Sequence, residues 1–248
     1  MKEDILHNLT IINNRIKNAC EQSGRNTDEV KLLLATKTVS AERIKVALEH
    51  GQTLIAENKV QELKEKYDDL KDIPHDNHFI GHLQTNKIKD ILRYDVTCVQ
   101  SLDRLELAEK LHQRLLAENK TMNVLIQVNT SNEESKFGID PSEAVELTRK
   151  VSGFSTLKIK GLMTIGLFSA ETEKVRACFK MLKNLQQEII HEHIPNVEMK
   201  ELSMGMSGDL ETAIEEGATI VRVGTAVFGA RIYPDSYYWN ECKTNKKA

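Results

Sequence analysis

The stretch LLLATKTVSAERIKVALEHG, residues 32–51, contains one complete strand, loop and helix. Three leucines and an alanine form the short apolar run that is typical of a buried strand. Ser40 then precedes an amphipathic helical pattern that ends at Gly51. Lys37 lies between the two, at the carboxyl end of the strand. A lysine in that position either faces a binding site or extends along the surface to reach solvent.

The same alternation of strand and helix continues along the chain. Strict alternation implies parallel strands joined by helical crossovers, and eight such units predict an α/β protein with a closed (β/α)8 fold, the TIM barrel. An open doubly wound sheet is the alternative, but no GxGxxG motif follows the first strand, where a dinucleotide-binding fold would need it. The eight strand candidates are residues 31–38, 53–58, 78–83, 96–102, 123–130, 159–165, 200–205 and 220–229.

An additional helix is predicted ahead of the barrel. Its apolar residues are spaced by three or four positions and so form one stripe, and Ser23-Gly24 supplies a stop. The whole chain of 248 residues is 40% hydrophobic, which is enough for the core of one barrel domain, 1–248, with an irregular tail from about residue 235. The residues of the stripe are Ile5, Leu9, Ile12, Ile16 and Ala19.

Charge and cysteine content exclude several classes of protein. The formal net charge is -3 and the basic residues are scattered, so we expect no nucleic-acid partner. No secretory or membrane-spanning apolar run is present in the sequence, which predicts a cytoplasmic protein. The four cysteines are far apart, without a CxxC pair, and are expected to be free thiols. They are Cys20, Cys98, Cys178 and Cys242.

Polar residues follow several of the predicted strands. In a barrel the carboxyl ends of the strands form one rim, where binding sites lie. Each residue alone is equally well explained as a helix cap or a turn residue. The rim residues are Lys37, Asn58, Gln84, Asn129, Thr164, Ser203 and Thr225.

The segments after strands seven and eight resemble a phosphate-binding cradle. Ser207-Gly208 is expected to open the helix after strand seven, with Ser207 as its cap, and Gly224-Thr225 ends strand eight. Barrels often hold a ligand phosphate with the loops that follow these two strands and the amino end of a helix. Glycines allow close approach of the backbone, and the hydroxyls of Ser207 and Thr225 can donate to phosphate oxygens.

Arg222 is a guanidinium within the otherwise apolar strand IVRVG. Burying it without an acceptor is costly, so we expect it to meet a core carboxylate or a ligand atom. A strand-end lysine, a phosphate cradle and an inward arginine together suggest pyridoxal 5'-phosphate. Lys37 would bond the aldehyde, and Arg222 would face the pyridine nitrogen.

Three histidines, His75, His78 and His82, are close in sequence and suggest a metal site. On an extended segment His78 and His82 share a face that His75 does not. No second cluster offers ligands at recognisable spacing. We therefore expect no metal.

Nearly the whole chain resembles the pyridoxal phosphate homeostasis protein family, which is built on the fold of the alanine racemase amino-terminal domain. The family commonly has FGEN where this chain has Ile55-Ala56-Glu57-Asn58, which weakens the comparison of the backbone just before Asn58. The matching motifs are LLLATKTVS, AENKVQELKEK, HFIGHLQTNK, SLDRLELA, VLIQVNTSNEESKFGI, GLMTIG and LSMGMSGDLETAIEEGATIVRVGTAVFGAR.

The resemblance implies a role for each site residue. Lys37 is the lysine that carries the cofactor as an internal aldimine, Asn58 contacts the cofactor, and Arg222 lies opposite the pyridine nitrogen. Ser207, Gly224 and Thr225 are the phosphate-binding positions. No catalytic residue is implied.

The resemblance also implies a non-catalytic protein that carries pyridoxal phosphate and takes part in its intracellular homeostasis and delivery. Its partners would be apo-enzymes that use the cofactor, and it would be a monomer or weak dimer without nucleic-acid or membrane partners. The first alternative is a weak pyridoxal-phosphate-dependent amino acid racemase, which would require an acid/base residue that the sequence does not identify; the tyrosines Tyr233, Tyr237 and Tyr238 lie in the tail beyond strand eight. A second alternative is a barrel that binds another phosphorylated metabolite.

Overall fold

The eight predicted strands form a closed parallel barrel. The computed structural model describes residues 2–133, 136–167 and 169–229. Neighbouring strands pair in chain order, and β8 returns to pair with β1, so the predicted TIM barrel is confirmed. The strands are β1 Lys31–Ala35, β2 Leu54–Glu57, β3 Asp76–Phe79, β4 Val96–Leu102, β5 Met122–Gln127, β6 Leu157–Met163, β7 Val197–Ser203 and β8 Ile220–Val223.

Helices follow the strands and cover the outside of the barrel. The first helix precedes β1, as predicted, and packs against the second, eighth and ninth helices. The helices are α1 Lys2–Gln22, α2 Ala41–Leu48, α3 Val60–Leu70, α4 Ile88–Arg93, α5 Leu105–Ala117, α6 Ala144–Ser152, α7 Thr172–His191, α8 Leu210–Glu215 and α9 Thr225–Phe228.

Apolar side chains are buried in two separate regions. The larger cluster lies between the outer face of the strands and the helices, and the predicted stripe of α1 is part of it. The barrel interior holds two small clusters, one around Leu33 and Ile220 and the other around Leu125 and Met163. These interior clusters are separate because polar side chains lie in the lumen between them, as described below.

Seven of the eight strands differ from their predicted limits at one or both ends, by up to six residues, and β4 alone has both limits as predicted. β3 begins at Asp76, before the predicted residue 78, because Asp76 pairs with Leu54 of β2. β8 stops at Val223, and the segment predicted to continue it is the helix α9. The consecutive apolar residues of TAVFG led to the wrong prediction, since a short apolar run occurs both in a buried strand and in one turn of buried helix.

The sequence also led to expectations about the cysteines, about membrane-spanning helices and about the tail. The described cysteines, Cys20, Cys98 and Cys178, are buried free thiols. No helix in the described ranges is long and apolar enough to cross a membrane. The predicted irregular tail, its three tyrosines and Cys242 lie outside the described residues.

Two neighbouring residues of α7 test the packing of this layer. Leu182 is fully buried, whereas Met181 has 43% of its surface exposed. We expect Leu182→Ala to lower the free energy of unfolding by about 2–5 kcal/mol, because it leaves a cavity in the core. Met181→Ala should change it by less than about 0.5 kcal/mol. Urea unfolding of both variants measures this, and equal losses would contradict the packing described.

Candidate functional site at the carboxyl rim of the barrel

The predicted site residues lie at the carboxyl ends of the strands. Lys37 follows β1, Asn58 follows β2, and Gly224 follows β8. Because β8, β1 and β2 are adjacent in the barrel, these three positions are neighbours along the rim. Ser207 lies in the segment between β7 and α8, which borders the same edge.

The loop after β1 presents Lys37. Thr36 still bonds to the second strand, since its N–H donates to the carbonyl of Ala56 over 2.9 Å. The chain then turns sharply, with Val39 N–H donating to the carbonyl of Thr36 over 3.0 Å. Lys37 is half-buried within this turn. The sequence prediction that a lysine closes a buried strand is therefore correct in position.

Asn58 is held at the end of β2 by a close backbone contact. A Cβ atom added to Gly81 would lie 2.0 Å from the carbonyl oxygen of Asn58, so only glycine fits there. The side-chain Oδ1 atom of Asn58 is buried and has no hydrogen-bond partner among the described residues. A buried unpaired acceptor is costly, so this oxygen needs a donor from a ligand or water.

Arg222 points into the barrel, where its guanidinium meets neutral oxygens. Nη1 donates to the hydroxyl of Ser203 over 2.9 Å, and Nη2 donates to the carbonyl of Thr164 over 2.7 Å. Burial lowers the pKa of Arg222 to about 10, although the nearby carboxylate of Asp209 opposes the shift. Arg222 therefore stays cationic at neutral pH. Of the two expected kinds of partner, a core carboxylate is not the acceptor of either bond, since a hydroxyl and a main-chain carbonyl accept them.

A chain of hydrogen bonds extends from Arg222 across the lumen. The Ser203 hydroxyl lies 2.6 Å from Oε1 of Gln100, and Nε2 of Gln100 lies 2.7 Å from Nδ1 of His78. An arginine can only donate, so Ser203 accepts from it and donates to Gln100. The Gln100 amide then donates to His78, whose Nδ1 must carry a lone pair. His78 is therefore the neutral tautomer with its proton on Nε2.

His78 connects this chain to the opposite end of the barrel. It lines a cavity of about 770 Å³ at the amino ends of the strands. None of the predicted site residues lines that cavity, so it is distinct from the carboxyl rim. Burial lowers the pKa of His78 to about 4, against the opposing effects of Asp76 and Glu201. The imidazole is therefore neutral at pH 7, as the hydrogen-bond chain requires.

The two predicted phosphate loops lie next to the rim. Gly224 approaches β1 so closely that a Cβ atom there would lie 2.9 Å from the carbonyl oxygen of Ala35. The intrahelical bonds of α9 begin with the N–H of Val227. The N–H groups of Thr225 and Ala226 precede them and face out of the amino end of the helix. Exposed Thr225 and half-buried Ser207 can add their hydroxyls to these donors.

Ser207 is not the helix cap that its sequence predicts. α8 begins at Leu210, and Asp209 occupies the capping position, with its carboxylate accepting from the N–H of Met206. The carboxylate of Asp209 makes no capping bond to the helix and instead closes the turn that precedes it. Ser207 is left in that turn, with its hydroxyl not used as a cap.

The N-terminal helix anchors both loops from outside. Arg15 donates to the carbonyl of Ser207 over 3.0 Å and forms a bidentate pair with Glu211, at 2.6 and 2.8 Å. Asn8 donates to the carbonyl of Val227 in α9, the helix that begins at the other loop, over 3.0 Å. These contacts fix the separation of the two loops. Sequence analysis missed Arg15, since a charged residue on an amphipathic helix gives no signal of its partner.

The three histidines do not come together. His75 bonds the carbonyl of Ile73, His78 lies in the lumen, and His82 stacks on Phe137 with ring centroids 4.1 Å apart. Among the described residues, no group of three or more His, Cys, Asp or Glu side chains is placed to bind a metal ion.

The rim has the parts that pyridoxal phosphate needs. Lys37 offers an amine for the aldehyde, Arg222 a cation for the ring nitrogen, and the start of α9 N–H groups for the phosphate. The buried Oδ1 of Asn58 adds an acceptor without a partner among the described residues. The close approach of Gly224 to Ala35 keeps the space beside β1 free of a side chain. The residues present therefore fit the group.

The low pKa of His78 predicts a loss of stability in acid. Its pKa lies near 6.5 in the unfolded chain and about 4 when folded, so the unfolded state binds the proton more tightly. The contribution is complete above pH 6.5 and is lost as the pH falls towards 4, by up to about 3 kcal/mol. His78→Gln keeps an acceptor for Gln100 but cannot titrate. We expect its unfolding free energy to depend less steeply on pH in this range.

Urea unfolding between pH 4 and 7 measures the difference. His50→Gln is the matched control, because His50 is exposed on the surface. A wild-type pH slope in His78→Gln would contradict the assignment of a buried neutral imidazole.

The chain is similar to known proteins along most of its length. A model of the alanine racemase N-terminal domain matches residues 7–232. A protein of Aquifex aeolicus with the curated name "Pyridoxal phosphate homeostasis protein" is 44% identical over 225 residues, which are 91% of this chain and 97% of the relative.

Two solved structures share the fold along most of their length. An unknown protein from Bifidobacterium adolescentis superposes with a TM-score of 0.86 at 37% identity, over 92% of this chain and 95% of that one. PipY from Synechococcus elongatus PCC7942, solved with PLP bound, gives a TM-score of 0.76 at 29% identity, over 87% of this chain and 100% of that one. The chain belongs to the pyridoxal phosphate homeostasis protein family, with the fold of the alanine racemase N-terminal domain.

Proposed function

We propose that this protein binds pyridoxal 5'-phosphate covalently through Lys37 and serves the supply of that cofactor without turning over a substrate. The observation that carries the proposal is the meeting of Lys37, Arg222 and the two loops after β7 and β8 at one rim. A relative solved with PLP bound supports it. When bound, pyridoxal phosphate supplies an aldehyde that bonds an amine, a pyridine ring and a phosphate.

Each residue then has a defined task. The nitrogen of Lys37 bonds the aldehyde carbon; the carbonyl oxygen leaves as water, and the nitrogen keeps one of its three ammonium protons. Ser207, Gly224 and Thr225 bind the phosphate through N–H and O–H groups. Asn58 contacts the cofactor beside Lys37.

Arg222 explains why binding need not lead to turnover. A guanidinium has five N–H groups, and the bonds to Ser203 and Thr164 use two. Donation from Arg222 to the ring nitrogen keeps that nitrogen unprotonated, which makes the ring a poor electron sink. Carbanion chemistry is then disfavoured. The curated name of the Aquifex aeolicus relative describes homeostasis of the cofactor, not a reaction.

We infer that the protein delivers the cofactor to apo-enzymes, since Thr225 and Gly208 are exposed and leave the phosphate loops open to another protein. A monomer or weak dimer is supported by the large exposed apolar side chains of the described residues, which are scattered over α1, α5 and α7. Buried free thiols favour the reducing cytoplasm.

The covalent bond is tested by trapping it. The protein is incubated with pyridoxal phosphate, its visible absorption is recorded, and the bond is reduced with borohydride and located by peptide mass spectrometry. We expect the added mass on Lys37, and no trapped adduct in Lys37→Ala. Lys45→Ala is the control, because Lys45 forms an exposed ion pair with Asp69 on the helical layer. A colourless, unmodified wild-type protein would contradict the proposal.

The racemase alternative is not favoured, and one assay separates it. The covalent bond is common to both functions, so only turnover distinguishes them. Conversion of L-alanine to D-alanine, absent in Lys37→Ala, would establish an enzyme. We expect no conversion above the rate in solution.

A change in the loop after β8 should weaken the binding of pyridoxal phosphate through its phosphate group. In Gly224→Ala the new methyl group would lie 2.9 Å from the Ala35 carbonyl, so the start of α9 must shift. We expect pyridoxal phosphate to bind about tenfold more weakly or worse, since charge-assisted hydrogen bonds to the phosphate lengthen. Affinity for pyridoxal, which has no phosphate, should be nearly unchanged. Fluorescence titration with both ligands measures this, and equal losses would point to general disruption of the rim.

A further inference from the structure

A buried cluster of charges lies behind the loop that carries Lys37. We define the Lys66 cluster as Lys66 and Glu62 of α3 together with Glu57 of β2. Lys66 is only 8% exposed and Glu57 only 2%, so both are removed from solvent. The cluster is outside the barrel wall, between β2 and α3, and none of its side chains was singled out by the sequence.

The ammonium of Lys66 is fully engaged. Its Nζ donates to Oε1 of Glu57 over 2.7 Å, to Oε2 of Glu62 over 2.7 Å, and to the main-chain carbonyl of Thr36 over 2.9 Å. An ammonium has three N–H donors, and each has an acceptor here. One of the three acceptors is the peptide that immediately precedes Lys37.

The peptide that follows Lys37 is bound by the same cluster. The N–H of Thr38 donates to Oε2 of Glu62 over 2.6 Å, the same oxygen that accepts from Lys66. Thr38 has a φ of 64°, in the left-handed region that a β-branched residue rarely adopts. This conformation is costly and persists only where neighbouring contacts impose it. The cluster therefore binds both peptides that flank Lys37 and stabilises an unfavourable turn.

The side chain of Thr36 completes the link. Its hydroxyl lies 2.7 Å from Oε1 of Glu57 and 3.0 Å from the carbonyl of Ala56. Thr36 thus faces outwards to the cluster from the residue next to Lys37. The whole loop is attached to β2 and α3 by side chains that do not belong to the rim.

Burying this many charges is not an efficient way to stabilise a fold. Replacing a buried ion pair with apolar residues of similar volume is often neutral or stabilising. Oε2 of Glu57 is buried without a partner among the described residues, and burial raises the pKa of Glu57 to about 7 despite the attraction of Lys66. Stability alone therefore does not account for these buried charges, whereas their hydrogen bonds to both peptides beside Lys37 would position that loop.

We infer that Lys66, held between Glu57 and Glu62, is a positioning residue that fixes the main chain of Lys37 so that its amine meets the aldehyde of the cofactor. The inference rests on the proposed function. It assigns the cluster no contact with the ligand and no part in phosphate binding. Loss of the cluster should weaken the covalent bond selectively and leave the rest of the binding intact.

Two ligands separate these contributions. Pyridoxine 5'-phosphate has the same ring and phosphate as pyridoxal 5'-phosphate, but an alcohol replaces the aldehyde, so it cannot bond Lys37. The covalent contribution is measured by a ratio: the dissociation constant of pyridoxine 5'-phosphate divided by that of pyridoxal 5'-phosphate. A general loss of stability weakens both ligands together and leaves the ratio unchanged.

Lys66→Met removes the ammonium and keeps most of the side-chain volume. We expect the ratio to fall about tenfold or more, as for the loss of a hydrogen bond from a charged group, with affinity for pyridoxine 5'-phosphate nearly unchanged. The yield of borohydride-trapped adduct on Lys37 should fall in parallel. Lys64→Met is the matched control, because Lys64 is an exposed residue of the same helix. A wild-type ratio in Lys66→Met would overturn the inference.

Two further variants keep the test decisive if Lys66→Met folds poorly. Glu57→Gln combined with Lys66→Met removes both buried charges and should recover stability, but not the ratio. Glu62→Ala removes the acceptor of Thr38 at a partly exposed position, and its ratio should also fall. Recovery of the ratio together with stability would show a purely structural role. A wild-type protein that forms no adduct on Lys37 would instead refute the proposed function itself.

Discussion

The guanidinium of Arg222 in the lumen of the barrel is the interaction on which the interior depends. A buried cation requires acceptors, and here they are a hydroxyl of β7 and a main-chain carbonyl at the end of β6. Because arginine only donates, every later bond of the chain has a fixed direction, through Gln100 to the lone pair of His78. The lumen is therefore polar along a line from β8 to β3, and its apolar side chains form two separate clusters. With an apolar residue at position 222, the first donor of the chain that runs through Ser203, Gln100 and His78 would be missing.

The rim combines two kinds of support. The phosphate loops are held by hydrogen bonds from α1 and by close backbone packing, as at Gly224 and Ala35. The lysine loop is held by buried charges between β2 and α3. Backbone packing tolerates little change in side-chain size, whereas a charged cluster tolerates little change in chemistry. The side chains that support the two parts of the rim come from α1, from α3 and from Glu57 of β2.

Much of the fold could be predicted from the sequence. Apolar strands alternating with amphipathic helices specified the barrel, and a lysine closing LLLATKT was placed correctly at the rim. The prediction of short elements was less accurate, because TAVFG has the composition of a strand end but forms a helix. The cap predicted at Ser207 was wrong because α8 begins later, at Leu210, with Asp209 in the capping position. Ser203 and Thr164 were visible as rim residues, but their bond to Arg222 was not, since partners distant in sequence leave no local pattern. Lys66, in a helix rich in charged residues, and Glu57, at the end of a strand, were hidden for the same reason.

The pairing of β1 with β8 has a consequence for biosynthesis. Lys37 leaves the ribosome early, whereas Arg222 and the start of α9 emerge only with the final strand. Until Leu33 pairs with Arg222, the nascent chain has the lysine but neither the arginine nor the second phosphate loop beside it. An aldehyde in the cell would meet this lysine as it meets any other on an unfinished chain. Under the proposed function, capture of the ligand therefore follows closure of the barrel, and binding stabilises the closed barrel alone.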